Sequence, residues 1–377
     1  MENFKGFCEQ FRVDKETGQK KFCIVQAEDE LAAAGIVIGA GWMGARAFTP
    51  TAGPGISLMS EFVGLAYYAE VPAVFFDVQR TGPSTGMPTR TQQADLLSIA
   101  YLSHGDTKHV AIFPSSPEEC FYMAAQAFDL AERFQTPVFV VSDLDIGMND
   151  WMCPRLTWDD AYRPDRGKVL SAADLDQVQR FYRYVSTNGD GVAARTLPGT
   201  SAKGAYFTRG SGHTKFGTYT EDDTEYREVV DRLTRKLAAA GEAAPAPEII
   251  LQQGAEVGVI TIGSCRGAVV EALDRLRERG VALDFMRIKA FPFGAAVRDF
   301  VAAHETCIVI EQNRDAQLRS LLQLETGVAR DRLRSVREYG GLPFGTNQVI
   351  DGILEQLGSP SSEVRSTDMR STEGVQV

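Results

Sequence analysis

Three short segments in the first third of the chain carry residue types able to do chemistry. The first, Gln26 to Gly44 (QAEDELAAAGIVIGAGWMG), sets an acidic triplet, Glu28-Asp29-Glu30, before a stretch of alanine and glycine. A carboxyl group there can share a proton with a bound base. The small residues behind it let another chain or a flat ligand come close. On local grounds the same carboxylates can equally complement the positive end of a helix, worth about 0.3–1 kcal/mol. The second segment, Thr49 to Ser60 (TPTAGPGISLMS), puts Gly53-Pro54-Gly55 between a strand candidate and a helix. It lacks the spacing of the known glycine-rich phosphate loops and reads as a tight turn. The third, Asp77 to Thr91 (DVQRTGPSTGMPTRT), places Arg80 at a strand end, with Ser84 and Thr85 in the loop that follows. An arginine so placed can hold a carboxylate through two parallel charge-assisted hydrogen bonds, or join a structural ion pair.

These segments need a frame, and the hydrophobic pattern supplies one. VPAVFFDV (Val71 to Val78), HVAIF (His109 to Phe113) and PVFVVS (Pro137 to Ser142) are short, nearly continuous apolar runs. Between the last two, Pro117 to Phe134 has helical spacing, with Ser116, Pro117 and Glu119 forming a capping box at its start. Apolar strands alternating with helices predict a parallel sheet covered on both faces, and in such sheets ligands bind beyond the carboxyl ends of the strands. The pattern recurs as strands over Val257 to Ile262, Leu283 to Ile288 and Cys307 to Glu311. Helices are expected over Arg266 to Arg279, Val297 to His304 and Ala316 to Leu324. This predicts a separate, smaller three-layer unit. Asp150 to Lys215 lacks periodicity, Thr224 to Leu237 reads as a helix, and Ala238 to Pro247 (AAAGEAAPAP) reads as a linker.

Composition narrows the function classes. Among 377 residues, 50 Asp and Glu outweigh 39 Lys and Arg, a formal net charge of −11 with no basic block, which argues against a nucleic-acid surface. No apolar run approaches the roughly 20 residues of a membrane span and the N-terminus shows no secretory signal, so a cytoplasmic location is expected. Six scattered cysteines form no C-x-x-C pair, so no metal or iron–sulfur site is expected on this chain alone.

Taken in order and at these separations, the segments resemble one family. The run from QAEDELAAAG through TAGPGISLMS to DVQRTGPSTGMPTRT is similar to the pyrimidine-binding domain of 2-oxoacid:ferredoxin oxidoreductase α subunits. The likeness continues through SHGDTKHVAIFPSSPEECF, DIGMNDWMCP, GSGHTKFGTYTED, RIKAFPF and EQNRDAQLRSLL, over roughly Lys21 to Ile350. Details such as DIGMNDWMCP and GSGHTKFGTYTED resemble most closely the 2-oxoglutarate-using members whose α chain is fused behind a γ domain. The resemblance implies a pyrimidine-type thiamine diphosphate domain followed by a transketolase C-terminal-like domain, both α/β. The expected division is 1–160, an irregular connection and linker over 161–247, the second domain over 248–357 and a disordered tail over 358–377.

The resemblance also implies a chemistry: oxidative decarboxylation of a 2-oxo acid, with electrons passing to ferredoxin and the acyl group to coenzyme A. Glu30 matches the glutamate that bonds the cofactor's pyrimidine ring, with Glu28 as the nearest competitor, and Arg80 matches the arginine on the substrate carboxylate. Ser84, Thr85 and His213 are candidates for substrate or interface contact, His213 also for a purely structural place. Magnesium and the [4Fe-4S] clusters are expected on partner chains: a β subunit, and a γ domain or subunit. The family's Tyr-Pro-Ile-Thr-Pro-like segment has no match in Met1 to Lys21, which implies a missing front segment. Related subunits for pyruvate or branched 2-oxo acids, a truncated non-catalytic assembly chain and a transketolase-like enzyme are the alternatives.

Overall fold

The computed structural model describes residues 1–358, so the tail expected to be disordered lies, apart from Gly358, outside the described residues. Among the described residues ten strands follow in chain order: β1 Phe48–Thr51, β2 Ala73–Gln79, β3 Val110–Ile112, β4 Pro137–Asp143, β5 Glu248–Ile250, β6 Val257–Ile262, β7 Asp284–Ile288, β8 Ala290–Phe291, β9 Thr306–Glu311 and β10 Leu333–Arg337. They form two five-stranded sheets, ordered β1-β2-β4-β3-β8 and β10-β9-β6-β7-β5. Each is parallel except for its last strand, β8 and β5 respectively, which runs antiparallel.

The central strands are buried on both faces, which is why they read as continuous apolar runs. In β2, Val74 enters one core, with helices Pro117–Phe134 and Asp223–Ala243. Its neighbour Phe75 points the other way, stacks on Phe139 of β4 at 5.2 Å, and joins a core covered by helices Glu30–Trp42 and Gly53–Ala69. That second core does not stop at the first unit. It runs on into Met286, Ile288, Val309 and Leu318 of the second. The far face of the second sheet closes separately over helices Arg266–Glu278 and Thr346–Gln356.

Four local expectations are corrected. The second unit is not separate, because β8 leaves it to pair with β3 of the first sheet. The supposed linker is helical as far as Ala243: alanines are the best helix formers, and Gly241 packs so tightly on Pro292 that a Cβ would lie 2.8 Å from its carbonyl oxygen. Gly53-Pro54-Gly55 is no turn but the first turn of helix Gly53–Ala69, where proline is favoured. The capping box at Ser116 is only half formed. Ser116 Oγ accepts from the Glu119 N–H at 3.2 Å, but the Glu119 carboxylate turns to Ser115 and to Arg287 of the second unit, at 2.6 and 2.9 Å.

Candidate functional site

Glu30 opens helix Glu30–Trp42, which Asp29 caps by accepting the Ala32 N–H at 2.7 Å. That cap uses the aspartate of the acidic triplet, leaving its two glutamates for other work. Glu28 lies exposed ahead of the helix, whereas Glu30 is half-buried on the first turn of helix Gly53–Ala69. The fit is close: a Cβ at Gly55 would lie 2.8 Å from Glu30 Cγ and 1.9 Å from Thr51 Oγ1, so only glycine is admitted. Among the described residues, no hydrogen bond or ion pair engages the Glu30 carboxylate.

The same helix end borders a cleft of about 530 Å³ at the carboxyl ends of β2 and β9. Gly53, Ser57, Arg80 and Ser84 line it from the first unit, and Asn313 and Arg314 from the second. Hydrogen bonds between two loops fix the walls. Gln93 N donates to Gln312 O at 2.8 Å and Asn313 Nδ2 to Gln93 O at 3.0 Å, while Gln317 Nε2 donates to Ala94 O at 2.7 Å. Deeper in the joint, buried Asp143 accepts from Gln93 Nε2 at 3.1 Å and from Ser264 Oγ at 2.7 Å. The cleft is therefore held rigidly by both units.

Behind Arg80 stand two carboxyl groups that sequence reasoning missed. Asp77 is fully buried in β2, and neither of its oxygens has a hydrogen-bond partner. Asp95 borders the cleft, with Oδ2 buried and unpartnered. Its own N–H donates to the Gln79 side chain at 3.0 Å. Since residues two apart share a strand face, Asp77 and Gln79 project to the same side, and Asp95 is tied above Asp77. Burial pushes the Asp77 carboxyl well above its usual range, and the Asp95 charge adds to this. Burial raises Asp95 to about 6, against the pull of Arg80. One signal was legible: Asp77 is the lone acid inside the run VPAVFFDV, where a charge is costly.

The remaining candidates separate. Ser84 lines the cleft, but Thr85 lies exposed in the loop beyond it. His213 is not at the cleft. It is buried between the rings of Tyr68 and Tyr184, at 4.9 and 4.2 Å, with Nδ1 3.1 Å from Ser211 O, and burial lowers its pKa. Apart from these candidates, Glu311, buried at the end of β9, accepts from the N–H groups of Leu318 and Arg319 at 2.7 and 3.1 Å, anchoring the helix Gln317–Thr326. Among the described residues, no group of three or more His, Cys, Asp or Glu could hold a metal ion, and no helix is long and apolar enough to cross a membrane.

A two-sheet α/β frame thus sets a free carboxyl at one helix end beside an arginine-bearing cleft at the next. Comparison with known proteins identifies the family. Residues 1–154 match the family described as pyruvate flavodoxin/ferredoxin oxidoreductase, thiamine diphosphate-binding. The α subunit of 2-oxoacid:ferredoxin oxidoreductase 2 from Aeropyrum pernix is 36% identical over 347 residues, which are 90% of this chain and 52% of that protein. The 2-oxoglutarate synthase subunit KorA of Methanothermobacter thermautotrophicus is 32% identical over 88% of this chain and 86% of its own length. A solved 2-oxoglutarate:ferredoxin oxidoreductase from Magnetococcus marinus, with 2-oxoglutarate, coenzyme A and succinyl-CoA bound, superposes with a TM-score of 0.82 at 31% identity. That match covers 89% of this chain and 57% of the other. The chain belongs to the 2-oxoacid:ferredoxin oxidoreductase α-subunit family. It spans about half the length of several of these relatives and most of the length of the KorA subunit.

Proposed function

We propose that this chain is the α subunit of a 2-oxoacid:ferredoxin oxidoreductase that converts 2-oxoglutarate and coenzyme A to succinyl-CoA and CO2 while reducing ferredoxin. The observation that carries the reading is the free, half-buried carboxyl of Glu30 at one side of the Gly53 helix end, with the Arg80 cleft at the other. A carboxyl with no partner of its own fits a cofactor whose ring nitrogen must share a proton, and this is the test that thiamine diphosphate passes here. When bound, thiamine diphosphate supplies the nucleophilic carbon and the electron sink that decarboxylation of a 2-oxo acid requires.

This chain's residues then have distinct tasks. Glu30 would share a proton with the pyrimidine ring nitrogen, and the close packing of its side chain against Gly55 limits where that carboxyl can lie. Arg80 binds the substrate carboxylate, and Ser84 closes the same side of the cleft. Gln93, Asn313 and Gln317 keep the walls from separating. The remaining parts belong to partners in this reading. A β subunit carries the diphosphate–magnesium site and the [4Fe-4S] clusters, and a γ domain or subunit completes the assembly in the cytoplasm.

The test is co-expression with the β subunit and an assay of viologen reduction with 2-oxoglutarate, pyruvate and a branched 2-oxo acid. Reduction fastest with 2-oxoglutarate supports the proposal. Pyruvate or the branched acid in first place moves the substrate assignment. No oxo-acid-dependent reduction by the assembled complex overturns the enzyme reading.

A further inference from the structure

The Asp77–Asp95 pair stands behind the proposed substrate arginine, and nothing in the substrate reading uses it. A fully buried, unpartnered carboxyl on β2 and a half-buried one held above it, whose Oδ2 is buried and unpartnered, cannot both ionise cheaply. Their surroundings decide which does. Asp95 has the N-terminal end of helix Gly53–Ala69 against it: a Cβ at Gly53 would lie 2.9 Å from its Oδ1. Arg80 lines the same cleft, with no hydrogen bond or ion pair to Asp95 among the described residues, and its charge favours the ionised form of Asp95. Asp77 has neither advantage and has the Asp95 charge against it. Asp95 therefore carries the negative charge and Asp77 keeps its proton. The other charged or titratable groups at the cleft are Arg314, Asp315 and Tyr339 of the second unit, and Arg314 is bonded to Asp315 at 2.7 Å, so that pair adds little net charge.

We infer that Asp95 is the resting counter-charge of Arg80 and that an incoming 2-oxo acid carboxylate displaces it from that role, so that Asp95 takes up a proton as substrate binds. Asp77, held neutral, confines the exchange to one proton. Two anions, Asp95 and the substrate carboxylate, otherwise compete for a single guanidinium in a poorly solvated site. No bond to carbon changes in this step. One proton moves from solvent to Asp95, and the site's net charge is the same before and after binding. Asp95 is thus a positioning and tuning residue that acts through Arg80, and the inference rests on the reading of Arg80 as the substrate site.

The linkage has a definite sign. Uptake of a proton on binding makes affinity rise as pH falls, over the range above the free-site pKa of Asp95, about 6. The experiment uses the assembled complex with 2-oxoglutarate as probe, reading KM and kcat from pH 6 to 8 and the binding enthalpy in buffers of different ionisation heat. For the wild type, KM is expected to rise roughly five- to tenfold from pH 6 to 8, with a buffer-dependent enthalpy that reports proton uptake. Asp95→Asn is expected to give a low, pH-independent KM, a buffer-independent enthalpy and a kcat within about twofold. Asp77→Asn, which mimics the protonated acid, is expected to keep the wild-type pH profile. A residue serving only to hold the fold would lower kcat and stability together and leave the KM slope in place, and that result overturns the inference. Arg80→Gln separates the two claims. If it leaves KM unchanged, the substrate reading falls. If it raises KM while Asp95→Asn keeps the wild-type slope, only the proton coupling falls.

Discussion

Two buried acidic sites lie on opposite sides of this molecule's first unit, and they are handled in opposite ways. Glu70, at the end of helix Gly53–Ala69, is fully buried, yet its carboxylate accepts from Arg232 at 2.5 and 3.0 Å and from Lys236 at 2.9 Å. Arg183 binds its carbonyl oxygen at 2.6 Å. These cations hold its carboxyl far below the usual range despite burial. Asp77, equally buried at the other end of the strand layer, has no partner and is pushed the other way. The first arrangement ties the irregular segment around Arg183 and the helix Asp223–Ala243 to the first unit. The second leaves electrostatic tension beside a cleft. The buried acid with a full set of partners holds elements together; the one without stands beside the proposed substrate site.

The comparison breaks first at Glu70. Removing its carboxylate strands the buried Arg232 and Lys236 charges, so Glu70→Leu is expected to cost about 3–5 kcal/mol in urea unfolding of the chain. A loss under 1 kcal/mol would show that the cluster is not structural. Because the folded pKa of Glu70 is depressed, its contribution is complete above the unfolded pKa of about 4 and fades as pH falls below it. Asp77→Val is expected to act in the opposite sense, stabilising by about 1–3 kcal/mol at pH 7 because it removes a buried polar group that has no partner. Its raised pKa means that the cost of Asp77 is least at low pH, so the gain should shrink toward pH 4. A destabilised Asp77→Val at pH 7 would mean that the two sites do not differ in kind. Smallest is Thr85→Ala, in the exposed loop, which should leave both stability and KM within about 0.5 kcal/mol of wild type. A tenfold change in KM would return Thr85 to the site.

The sequence displayed one side of this contrast better than the other. The core strands were legible as apolar runs, and the places of Glu30 and Arg80 at a helix start and a strand end were legible too, while the roles proposed for them come from the resemblance. Asp77 was visible as an acid within an apolar strand, but its meaning depends on Asp95, 18 residues away and delivered by a loop that the second unit pins. No local pattern reports that. Glu70 was illegible for the same reason, since its partners come from Arg183, Arg232 and Lys236, more than a hundred positions later. The short strand β8 escaped notice because two residues carry no period, and it is the strand that joins the two units.

The most direct test of the central claim is Glu30→Gln in the complex assembled with the β subunit, assayed for 2-oxoglutarate-dependent viologen reduction with saturating thiamine diphosphate. Glutamine keeps the shape and loses the shared proton, so turnover is expected to fall by a factor of roughly 100 to 10,000, with assembly and thermal stability unchanged. Wild-type turnover by the Glu30→Gln complex would contradict the assignment of Glu30, and with it the site proposed here.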